Sequence, residues 1–377
     1  MPEVSRARAL LKPLLIITAI LGVIHFFIFQ IISTSMGTDA KLILALVFID
    51  ALILLPVGVL IFYTSYRQGF KWLTYFSYMW LGFFHLMFHF ALIELVIFLI
   101  RPHEYSYWVL IAAGLIALWS IYKGFKFPKV NRYWLKAPAF LKGKTLVQIS
   151  DLHIGMLHLN QDWLQKVVGK INELQPDMVA ITGDLVEGAY DKISTQLKPL
   201  AEIKAAHKFY VTGNHEYIHF SDAWESRLQE LGFTSLHNSS VIVPISSTNA
   251  ASGVHSGNLL MAGVPDRMVK RFIRNLTSDP ELALKNSTKS EYKILLAHEP
   301  SSVYDLKTEK PDIIITGHTH GGQIFPFSFY VRMVQPLSKG FKLVNSVLIF
   351  ANQGTGFWGP PMRWFTDSEI AIFEFID

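Results

Sequence analysis

Aspartate, histidine and asparagine side chains recur at five places in the C-terminal part of the chain, each directly after a short apolar run. They belong to the segments Asp151-Leu-His153, Gly183-Asp184, Gly213-Asn214-His215, Ala297-His298 and Gly317-His318-Thr-His320. Carboxylate, imidazole and amide-oxygen ligands suit divalent ions such as Mn²⁺, Fe²⁺ or Zn²⁺. A lone Asp-x-His pair is more often a helix cap or a surface pair. Five such segments in order, each closing an apolar run, predict a metal centre.

The spacing within these segments predicts two metal ions. Asp151 and His153 are two residues apart, so at an extended strand end both side chains point to the same face and can bind one ion. His318 and His320 have the same spacing and can serve one ion each. Asp184 follows a glycine, which leaves room for close approach to an ion. Its carboxylate has two oxygens and can bridge two cations about 3.5–4 Å apart.

Two ions held in this way predict the hydrolysis of a phosphate ester. A water between the ions is deprotonated near neutral pH, and the bridging hydroxide attacks phosphorus in line while the ions neutralise charge on the phosphoryl oxygens. His215, beside the proposed ligand Asn214, is the candidate that protonates the leaving oxygen or stabilises its charge. The chain has no cysteine, which excludes a thiolate nucleophile, a disulfide framework and a Cys-based zinc site.

The elements that must position these residues alternate between strand and helix patterns. The short β-branched runs predict strands over residues 145–150, 177–182, 208–212, 292–296, 312–316 and 347–351. Helical spacing of apolar residues predicts helices over residues 161–174, 194–203 and 222–231. Strands that alternate with helices indicate a layered α/β fold with its site at the carboxyl ends of the strands.

In full motif order these segments resemble the calcineurin-like metallophosphoesterases. The motifs that carry the resemblance include Gly183-Asp184-x-x-Glu187 and Gly213-Asn214-His215-Glu216, and the likeness covers about residues 145–377. It implies a four-layer α/β/β/α sandwich. It implies one ion held by Asp151, His153, Asp184 and His320, and a second held by Asp184, Asn214, His298 and His318. It also places His215 next to the substrate phosphate.

Other parts of the C-terminal half bear on the substrate. Glu187 departs from the commoner Gly-Asp-x-x-Asp pattern, and we interpret it as supporting a ligand. Arg363 is a candidate for binding a substrate phosphate. The Gly-His-Thr-His-Gly-Gly-Gln form, with residues 352–359 and Pro361-x-Arg363, resembles a bacterial subgroup that is often membrane-tethered. Some of its members resemble the UDP-2,3-diacylglucosamine pyrophosphatases of lipid A synthesis.

The N-terminal third has a different composition. The chain has 377 residues, of which 51% are hydrophobic, and the excess lies before residue 122. Apolar runs over residues 14–32, 42–62, 75–100 and 107–122 each approach the roughly 20 residues that a membrane-spanning helix needs. The sequence therefore predicts an all-α transmembrane bundle of four spans over residues 1–122, a basic juxtamembrane linker over 123–144 and the phosphoesterase domain over 145–377.

The distribution of lysine and arginine predicts the orientation. Basic residues occupy the N-terminal tail, the second connection and the linker, whereas the opposite side holds only Lys41 and Arg101. Cytoplasmic segments are enriched in basic residues, so the catalytic domain is expected on the cytoplasmic side of an inner membrane. Losing one weak span would reverse this orientation.

Five ionisable residues fall inside the predicted spans, namely His25, Asp50, His85, His89 and Glu94. His85 and His89 share one helix face. The residues form either a proton path or a metal or haem site, or else they make polar contacts that fix a helical bundle.

Two less regular regions could shape the mouth of the site. Residues 247–256 predict a mobile loop, and residues 266–274 a short basic amphipathic helix. That helix is either a cap with Phe272 on lipid and its basic residues on phosphate, or a solvated helix packed on the domain. Phe327, Phe329, Tyr330, Arg332, Met333, Phe357 and Trp358 could also line the mouth, although at least half of the aromatics are expected in the core.

These observations favour a membrane-anchored enzyme that cleaves a phosphodiester or pyrophosphate of a phosphorylated small molecule or lipid-linked substrate. One alternative is a transporter or sensor that uses the fold as a metal- or nucleotide-binding module, but every ligand position is filled. A second is a protein phosphatase, which the sequence leaves open. The formal charge of +5 is concentrated at the membrane junction, so no nucleic acid partner is expected.

Overall fold

The computed structural model describes residues 3–34, 36–64, 71–100, 106–219, 221–249, 253–285 and 290–377. The chain forms two compact units. A helical unit comprises Met1–Phe125 and Gly359–Trp364, and a second unit comprises Lys126–Trp358 and Phe365–Asp377.

The helical unit contains four long helices within its described residues. They are α1 (Glu3–Ser33), α2 (Thr38–Thr64), α3 (Lys71–Ile100) and α4 (Ser106–Gly124). Each includes a predicted span, and each is long and apolar enough to cross a membrane, with mean hydropathies of 2.5, 2.8, 2.3 and 1.4 in chain order. Large apolar side chains such as Val23, Ile43 and Leu99 are exposed on them, which suits helices surrounded by lipid.

His25 makes polar contacts that hold two of these helices together. Its Nδ1 donates to the carbonyl oxygen of Leu21 at 2.7 Å, and the indole Nε1 of Trp80 on α3 donates to its Nε2 at 3.1 Å. The imidazole also stacks on Phe84, with ring centroids 3.9 Å apart. Because both ring nitrogens are bonded within the bundle, His25 fits the structural interpretation of the polar residues in the spans.

The remaining ionisable residues of the spans are arranged differently. The rings of His85 and His89 lie 4.5 Å apart, which confirms that they share one face of α3. Nδ1 of His89 donates to the carbonyl oxygen of His85 at 2.7 Å. Glu94 is buried, whereas Asp50 is exposed. A proton path or a metal or haem site in the bundle stays a hypothesis.

The second unit contains two six-stranded sheets. The first has the strand order β1-β12-β2-β3-β4-β5 and the second β10-β11-β9-β8-β7-β6. The strands of the first sheet are β1 (Lys129–Lys136), β2 (Thr145–Ile149), β3 (Met178–Thr182), β4 (His207–Val211), β5 (Thr234–Ser235) and β12 (Glu369–Ile376). Those of the second are β6 (Ser239–Asn249), β7 (Gly253–Gly263), β8 (Tyr292–Leu296), β9 (Ile313–Thr316), β10 (Gly340–Val344) and β11 (Val347–Ala351). Strands β2 to β5 run parallel to one another, as do β7, β8, β9 and β11.

Helices connect these strands. They are α5 (Gln161–Glu173), α6 (Tyr190–Ile193), a 3-10 helix (Ser194–Glu202), α7 (Asn214–Ile218), α8 (Ser221–Glu230), α9 (Val269–Phe272), α10 (Pro280–Leu284) and α11 (Phe327–Val334). Short 3-10 helices also occur over Ala139–Leu141, Pro300–Asp305 and His320–Gly322. Helix α5 begins where predicted, because the Asn160 side chain accepts a hydrogen bond from the Trp163 amide at 3.0 Å.

The packing has the four layers expected of an α/β/β/α sandwich. The inner faces of the two sheets share one core, to which Met178 and Phe209 contribute from the first sheet and Ile294 and Phe350 from the second. On the outer face of the second sheet, a separate core includes Leu284 of α10. Helix α5 buries its apolar stripe, and β3 is buried along its whole length, as expected of parallel strands covered on both faces.

The predicted juxtamembrane linker is in part a strand. Residues 129–136 form β1, which pairs in parallel with β12, and the hydroxyl of Tyr133 donates to Glu369 at 2.7 Å. The ring of Tyr133 contacts Phe350 and Phe373 of the inter-sheet core. The lysines and arginines of this segment are typical of an edge strand, and their charge obscured the pattern.

The predicted mobile loop over residues 247–256 is wrong for the residues that the structure describes. Strands β6 and β7 form an antiparallel hairpin whose register pairs Ser247 with His255, and residues 250–252 lie outside the description. Small polar side chains are tolerated there because β6 is the edge of its sheet.

The basic helix predicted over 266–274 is reduced to the single turn of α9. The segment Ser194–Glu202 is a 3-10 helix with Pro199 inside.

Candidate metal centre

The predicted ligand residues follow β2, β3 and β4 of the first sheet and β8 and β9 of the second, so both sheets contribute to one edge. The sheets are joined beneath these loops by buried polar side chains. Nε2 of Gln148 donates to Thr182 Oγ1 at 2.6 Å and to the carbonyl oxygen of Thr316 at 3.0 Å. Asn352, after β11, donates to Gln148 at 3.2 Å. These bonds fix the relative positions of the loops from the two sheets.

One group of ligand atoms comes from Asp151, His153 and His320. The three atoms lie within 4.8 Å of one another, and all three residues are buried. Nε2 of His153 is 3.3 Å from Nε2 of His320, which is in turn 3.5 Å from Oδ1 of Asp151. Two imidazole nitrogens and a carboxylate oxygen at this separation are a ligand set for a divalent ion.

A second group comes from Asp184, His298 and His318. Nε2 of His298 lies 3.2 Å from Oδ2 of Asp184 and 3.2 Å from Nδ1 of His318. Nδ1 of His298 donates to the carbonyl oxygen of Thr182 at 2.8 Å. This bond leaves the lone pair on Nε2, the nitrogen that faces the group, which is how protein carbonyls commonly orient metal-binding histidines.

Asp184 lies between the two groups. Its Oδ2, 3.2 Å from His298 in the second group, is also 3.9 Å from Nε2 of His153 in the first. Burial alone would raise the pKa of Asp184, but the neighbouring His298, His215 and His153 hold it well below its usual range. The residue is therefore a carboxylate placed to contact both ligand groups.

Asn214 supplies an independent observation that a cation fits here. Its Oδ1 is buried and has no hydrogen-bond partner within the part of the chain that the structure describes. A buried amide oxygen without a partner is costly, and a metal ion would satisfy it. The donor set of carboxylate, imidazole and amide oxygen therefore fits a pair of divalent ions.

The backbone of the ligand loops is strained. Five of the predicted ligands have positive φ, namely Asp151 (53°), His153 (46°), Asp184 (50°), His318 (68°) and His320 (48°). Each such non-glycine residue costs on the order of 1–3 kcal/mol, and residues of this kind cluster at functional sites. The extended backbone expected for Asp151 and His153 is wrong, although their side chains do meet in one group.

Glu216 holds two ligand loops together, a role that sequence reasoning did not assign. Its carboxylate accepts from the amides of Asp184 at 3.1 Å, Leu185 at 2.6 Å and Gly213 at 2.7 Å. The sequence did show an acid three residues after the glycine that begins α7, which is the spacing of a capping box. That spacing accounts for the bond from Gly213, whereas the amides of Asp184 and Leu185 belong to a distant loop that no local pattern identifies.

Glu187 contacts three histidines. Its Oε2 accepts from Nδ1 of His153 at 3.1 Å and lies 2.6 Å from Nδ1 of His215, while its Oε1 is 3.5 Å from Nε2 of His219. Burial would lower the pKa of His215, but Glu187 and then Asp184 raise it to about 10. Glu187 thus orients a predicted metal ligand and the predicted catalytic histidine with one carboxylate.

Comparison with known proteins agrees with this geometry. Residues 144–322 match the family model of the calcineurin-like phosphoesterases. A metallophosphoesterase of Helicobacter pylori is 34% identical over 260 residues, which cover 68% of this chain and 66% of the relative. The chain belongs to the calcineurin-like phosphoesterase family. Its fold and catalytic class, a metal-dependent hydrolase acting on phosphoric esters, are those of that family, which generally uses a pair of divalent metal ions.

Two further proteins are similar to this chain. A transmembrane protein with a metallophosphoesterase domain from Danio rerio is 31% identical over 273 residues, or 69% of this chain and 60% of the relative. The chain thus spans about two thirds or less of the length of these relatives. The solved structure of calcineurin-like phosphoesterase YfkN from Bacillus subtilis has a TM-score of 0.42 at 14% identity, covering 56% of this chain and 82% of that chain.

Arg363 is not part of the unit that contains the ligand groups. It belongs to the segment Gly359–Trp364 of the helical unit, is fully buried, and its amide donates to the carbonyl oxygen of Ser120 at 2.8 Å. These contacts are those of a packed residue. The predicted contact with a substrate phosphate stays a prediction without support from them.

Replacing Glu187 by glutamine is expected to lower metal affinity or turnover about 10–100-fold, as do changes to the partners of metal-binding histidines. A glutamine keeps the size but has no negative charge, so its oxygen accepts from His153 more weakly and no longer stabilises the protonated ring of His215. Metal affinity by calorimetry and steady-state turnover measure the effect. Glu202→Gln, an exposed substitution, is the matched control. Equal affinity and turnover in both variants would show that Glu187 does not orient these rings.

Replacing Gly213 by alanine is expected to inactivate the phosphoesterase. The backbone there is extended (φ −101°, ψ −175°), so alanine is conformationally acceptable, but its Cβ would lie 2.2 Å from Asp184 Oδ1. Asp184 must therefore move, and overpacking of this kind also costs about 1–3 kcal/mol of stability. In Gly169→Ala the added Cβ meets no described atom within 4 Å. That control should keep full activity in phosphodiester hydrolysis. Thermal unfolding should show a free energy of unfolding about 0.5–1 kcal/mol higher, because alanine is more stable than glycine inside helix α5.

Proposed function

We propose that the chain is a membrane-anchored, metal-dependent phosphoesterase that cleaves a phosphodiester or pyrophosphate bond of a lipid-linked substrate. The observation that carries the proposal is the position of Asp184 Oδ2 between the two histidine groups, at 3.2 Å from His298 and 3.9 Å from His153. A carboxylate in that position is suited to bridge two cations.

The ligand sets follow from the two groups and from Asn214. Asp151, His153 and His320 with Asp184 would hold one ion, and His298, His318 and Asn214 with Asp184 would hold the other. When bound, Mn²⁺, Fe²⁺ or Zn²⁺ ions supply Lewis-acid activation of a water nucleophile and neutralise charge on the phosphoryl oxygens. Glu187 keeps the Nε2 lone pair of His153 directed at the first group by accepting from its Nδ1.

His215 has the surroundings of a group that acts on the leaving oxygen. Its Nδ1 lies 2.6 Å from Glu187, which stabilises the protonated ring, and its amide donates to Asp184 Oδ1 at 3.0 Å. The ring remains partly accessible and lies 5.9 Å from the ring of Trp358. A protonated imidazole beside the ligand groups can donate its proton to the leaving oxygen.

Several exposed residues near α7 support an amphipathic substrate. The ring of Phe272 on α9 stacks with Tyr217 of α7, two residues from His215, with centroids 6.2 Å apart. Phe272 is itself exposed, and its neighbours Lys270 and Arg271 are exposed cations that suit phosphate groups. Apolar and cationic side chains beside one catalytic helix favour a substrate with both a phosphate and an apolar part.

The membrane setting is proposed from the four apolar helices and the positions of basic residues. Enrichment of lysine and arginine in the N-terminal tail and after the fourth span favours an inner-membrane protein with a cytoplasmic catalytic domain. A substrate at the inner bilayer surface would then be within reach of the site.

Three substrates offered to the purified full chain with Mn²⁺ separate the candidate activities. They are bis(p-nitrophenyl) phosphate, a UDP-linked diacylated sugar in mixed micelles and a phosphopeptide, with Asp184→Asn as the blank for each. The proposal expects metal-dependent cleavage of the first two. Cleavage of the nitrophenyl ester without the lipid-linked pyrophosphate would remove the lipid part, and preferential cleavage of the phosphopeptide would identify a protein phosphatase.

A further inference from the structure

Helix α11 exposes large apolar side chains at the surface of its domain. The sequence Phe-Ser-Phe-Tyr-Val-Arg-Met-Val forms eight residues of helix, all described, of which none is buried. The exposed fractions are 49% for Phe327, 56% for Phe329, 80% for Met333 and 75% for Val334. The expectation that at least half of the candidate mouth aromatics belong to the core is therefore wrong, since Phe357 is buried whereas Phe327, Phe329, Tyr330 and Trp358 are exposed. Several large apolar side chains exposed on one helix of a folded domain indicate an interaction surface.

The helix is fixed directly beside the ligand loop that carries His318 and His320. A Cβ added to Gly322 of that loop would lie 2.4 Å from the Cα of Ser328, so loop and helix backbone are in close contact. The ring of Phe329 also packs at 5.5 Å on Phe325, which in turn lies 5.3 Å from the 70% exposed Phe365. The apolar surface is therefore held rigidly at the rim of the metal centre.

The charge around α11 identifies the kind of partner. Residues 323–345 contain three cations, Arg332, Lys339 and Lys342, and no acidic residue. All three cations are exposed, and the two lysines donate to carbonyl oxygens of Phe365 and Pro336 beside the helix. Aromatic and aliphatic side chains flanked by basic residues are the composition of helices that lie in a membrane interface, with the cations at anionic headgroups.

We propose that α11 and Phe365 form a membrane-contact surface that dips into the headgroup region of an anionic bilayer beside the metal centre. The four apolar helices of the same chain keep a bilayer available to it at all times. The proposal rests on the membrane setting of the proposed function and does not depend on which lipid is cleaved. Its consequence is that the centre opens at the bilayer surface, where the phosphate of a lipid-linked substrate lies.

The absence of cysteine makes the surface directly testable. Met333→Cys and, as a matched control, Glu173→Cys, on the exposed end of α5, are each labelled with the environment-sensitive fluorophore NBD. The full chain is reconstituted in phosphatidylethanolamine–phosphatidylglycerol vesicles. We expect doxyl-labelled acyl chains to quench most of the emission at position 333 and little at 173, and aqueous iodide to give the reverse.

Two outcomes of the quenching experiment would overturn the proposal. Iodide quenching at 333 equal to that at 173 overturns the proposal. Protection from both quenchers also overturns it, because a protein surface would then cover α11. Hydrolysis of bis(p-nitrophenyl) phosphate by the same vesicles is the separate test of the catalytic proposal. Phe329→Ser with Met333→Ser should abolish the doxyl quenching of a label at Tyr330→Cys, and quenching that persists would also overturn the proposal.

Discussion

The substitution Asp184→Asn is expected to lower kcat/KM for a phosphodiester by about 10²–10³-fold. This corresponds to a loss of roughly 3–4 kcal/mol of transition-state stabilisation by metal ions. The substitution is nearly isosteric. Its Oδ1 can still accept from the amide of His215, a bond of 3.0 Å in the structure. What is lost is the anionic Oδ2 between His298 and His153, so one or both ions should bind more weakly.

The measurement combines Mn²⁺-dependent hydrolysis of bis(p-nitrophenyl) phosphate with elemental analysis of the same preparation. Asp162→Asn, an exposed aspartate in the first turn of α5, is the matched control and should behave as wild type. Full activity in the Asp184 variant would refute the bridging assignment. Lost activity with an unchanged metal content would instead indicate that Asp184 acts on substrate.

The substitution His215→Asn is expected to lower kcat by about 10²–10⁴-fold, which is the usual contribution of a positioned general acid. The metal content should not change, because the ring of His215 contacts Glu187 and belongs to neither of the two groups proposed to hold the ions. The loss should be larger for an alkyl phosphodiester than for a nitrophenyl ester, because nitrophenolate leaves without protonation.

His219→Asn is the control for this variant, since His219 lies one turn later on the same segment and also approaches Glu187, at 3.5 Å. We expect a much smaller effect there. Equal losses on good and poor leaving groups would contradict the general-acid role of His215. A reduced metal content in the His215 variant would show that its ring contributes to ion binding.

The elements around the site were predictable because their burial leaves a simple pattern. Strands β2, β3, β8, β9 and β11 begin and end within one residue of the predicted runs. Their sequences consist of apolar and β-branched residues, apart from Gln148 in β2 and Lys293 in β8, as expected of strands covered on both faces. The residue types at the ends of those strands predicted the ligands, and the structure brings six of them together in two groups that could each hold an ion.

The parts that were missed share a physical reason, which is that their partners lie far away in sequence. The basic residues of β1 do not form a recognisable strand pattern. Its partner β12 lies more than 230 residues later, as the pairing of Lys129 with Glu369 shows. Glu216 also accepts from the amides of Asp184 and Leu185 in another loop, and no residue pattern records those two bonds. The aromatics of α11 resemble core residues in composition, and only their surroundings reveal them as surface.

The positive φ values of five ligand residues illustrate the same limit. Sequence spacing placed Asp151 and His153 on an extended strand, where alternate side chains share a face. In the structure the strand ends at Ile149 and both residues adopt left-handed conformations. The side chains still converge because the surrounding bonds, such as that from the His318 amide to Asp151 at 3.0 Å, fix the loop.

The most direct test of the two-metal centre is the number of divalent ions per active chain. The full-length protein, stripped with a chelator and titrated with Mn²⁺, should bind two ions per chain, and hydrolysis of bis(p-nitrophenyl) phosphate should rise in step with occupancy. Elemental analysis at the plateau counts the ions. A plateau of activity at one ion per chain, or activity that survives complete removal of metal, would contradict the account.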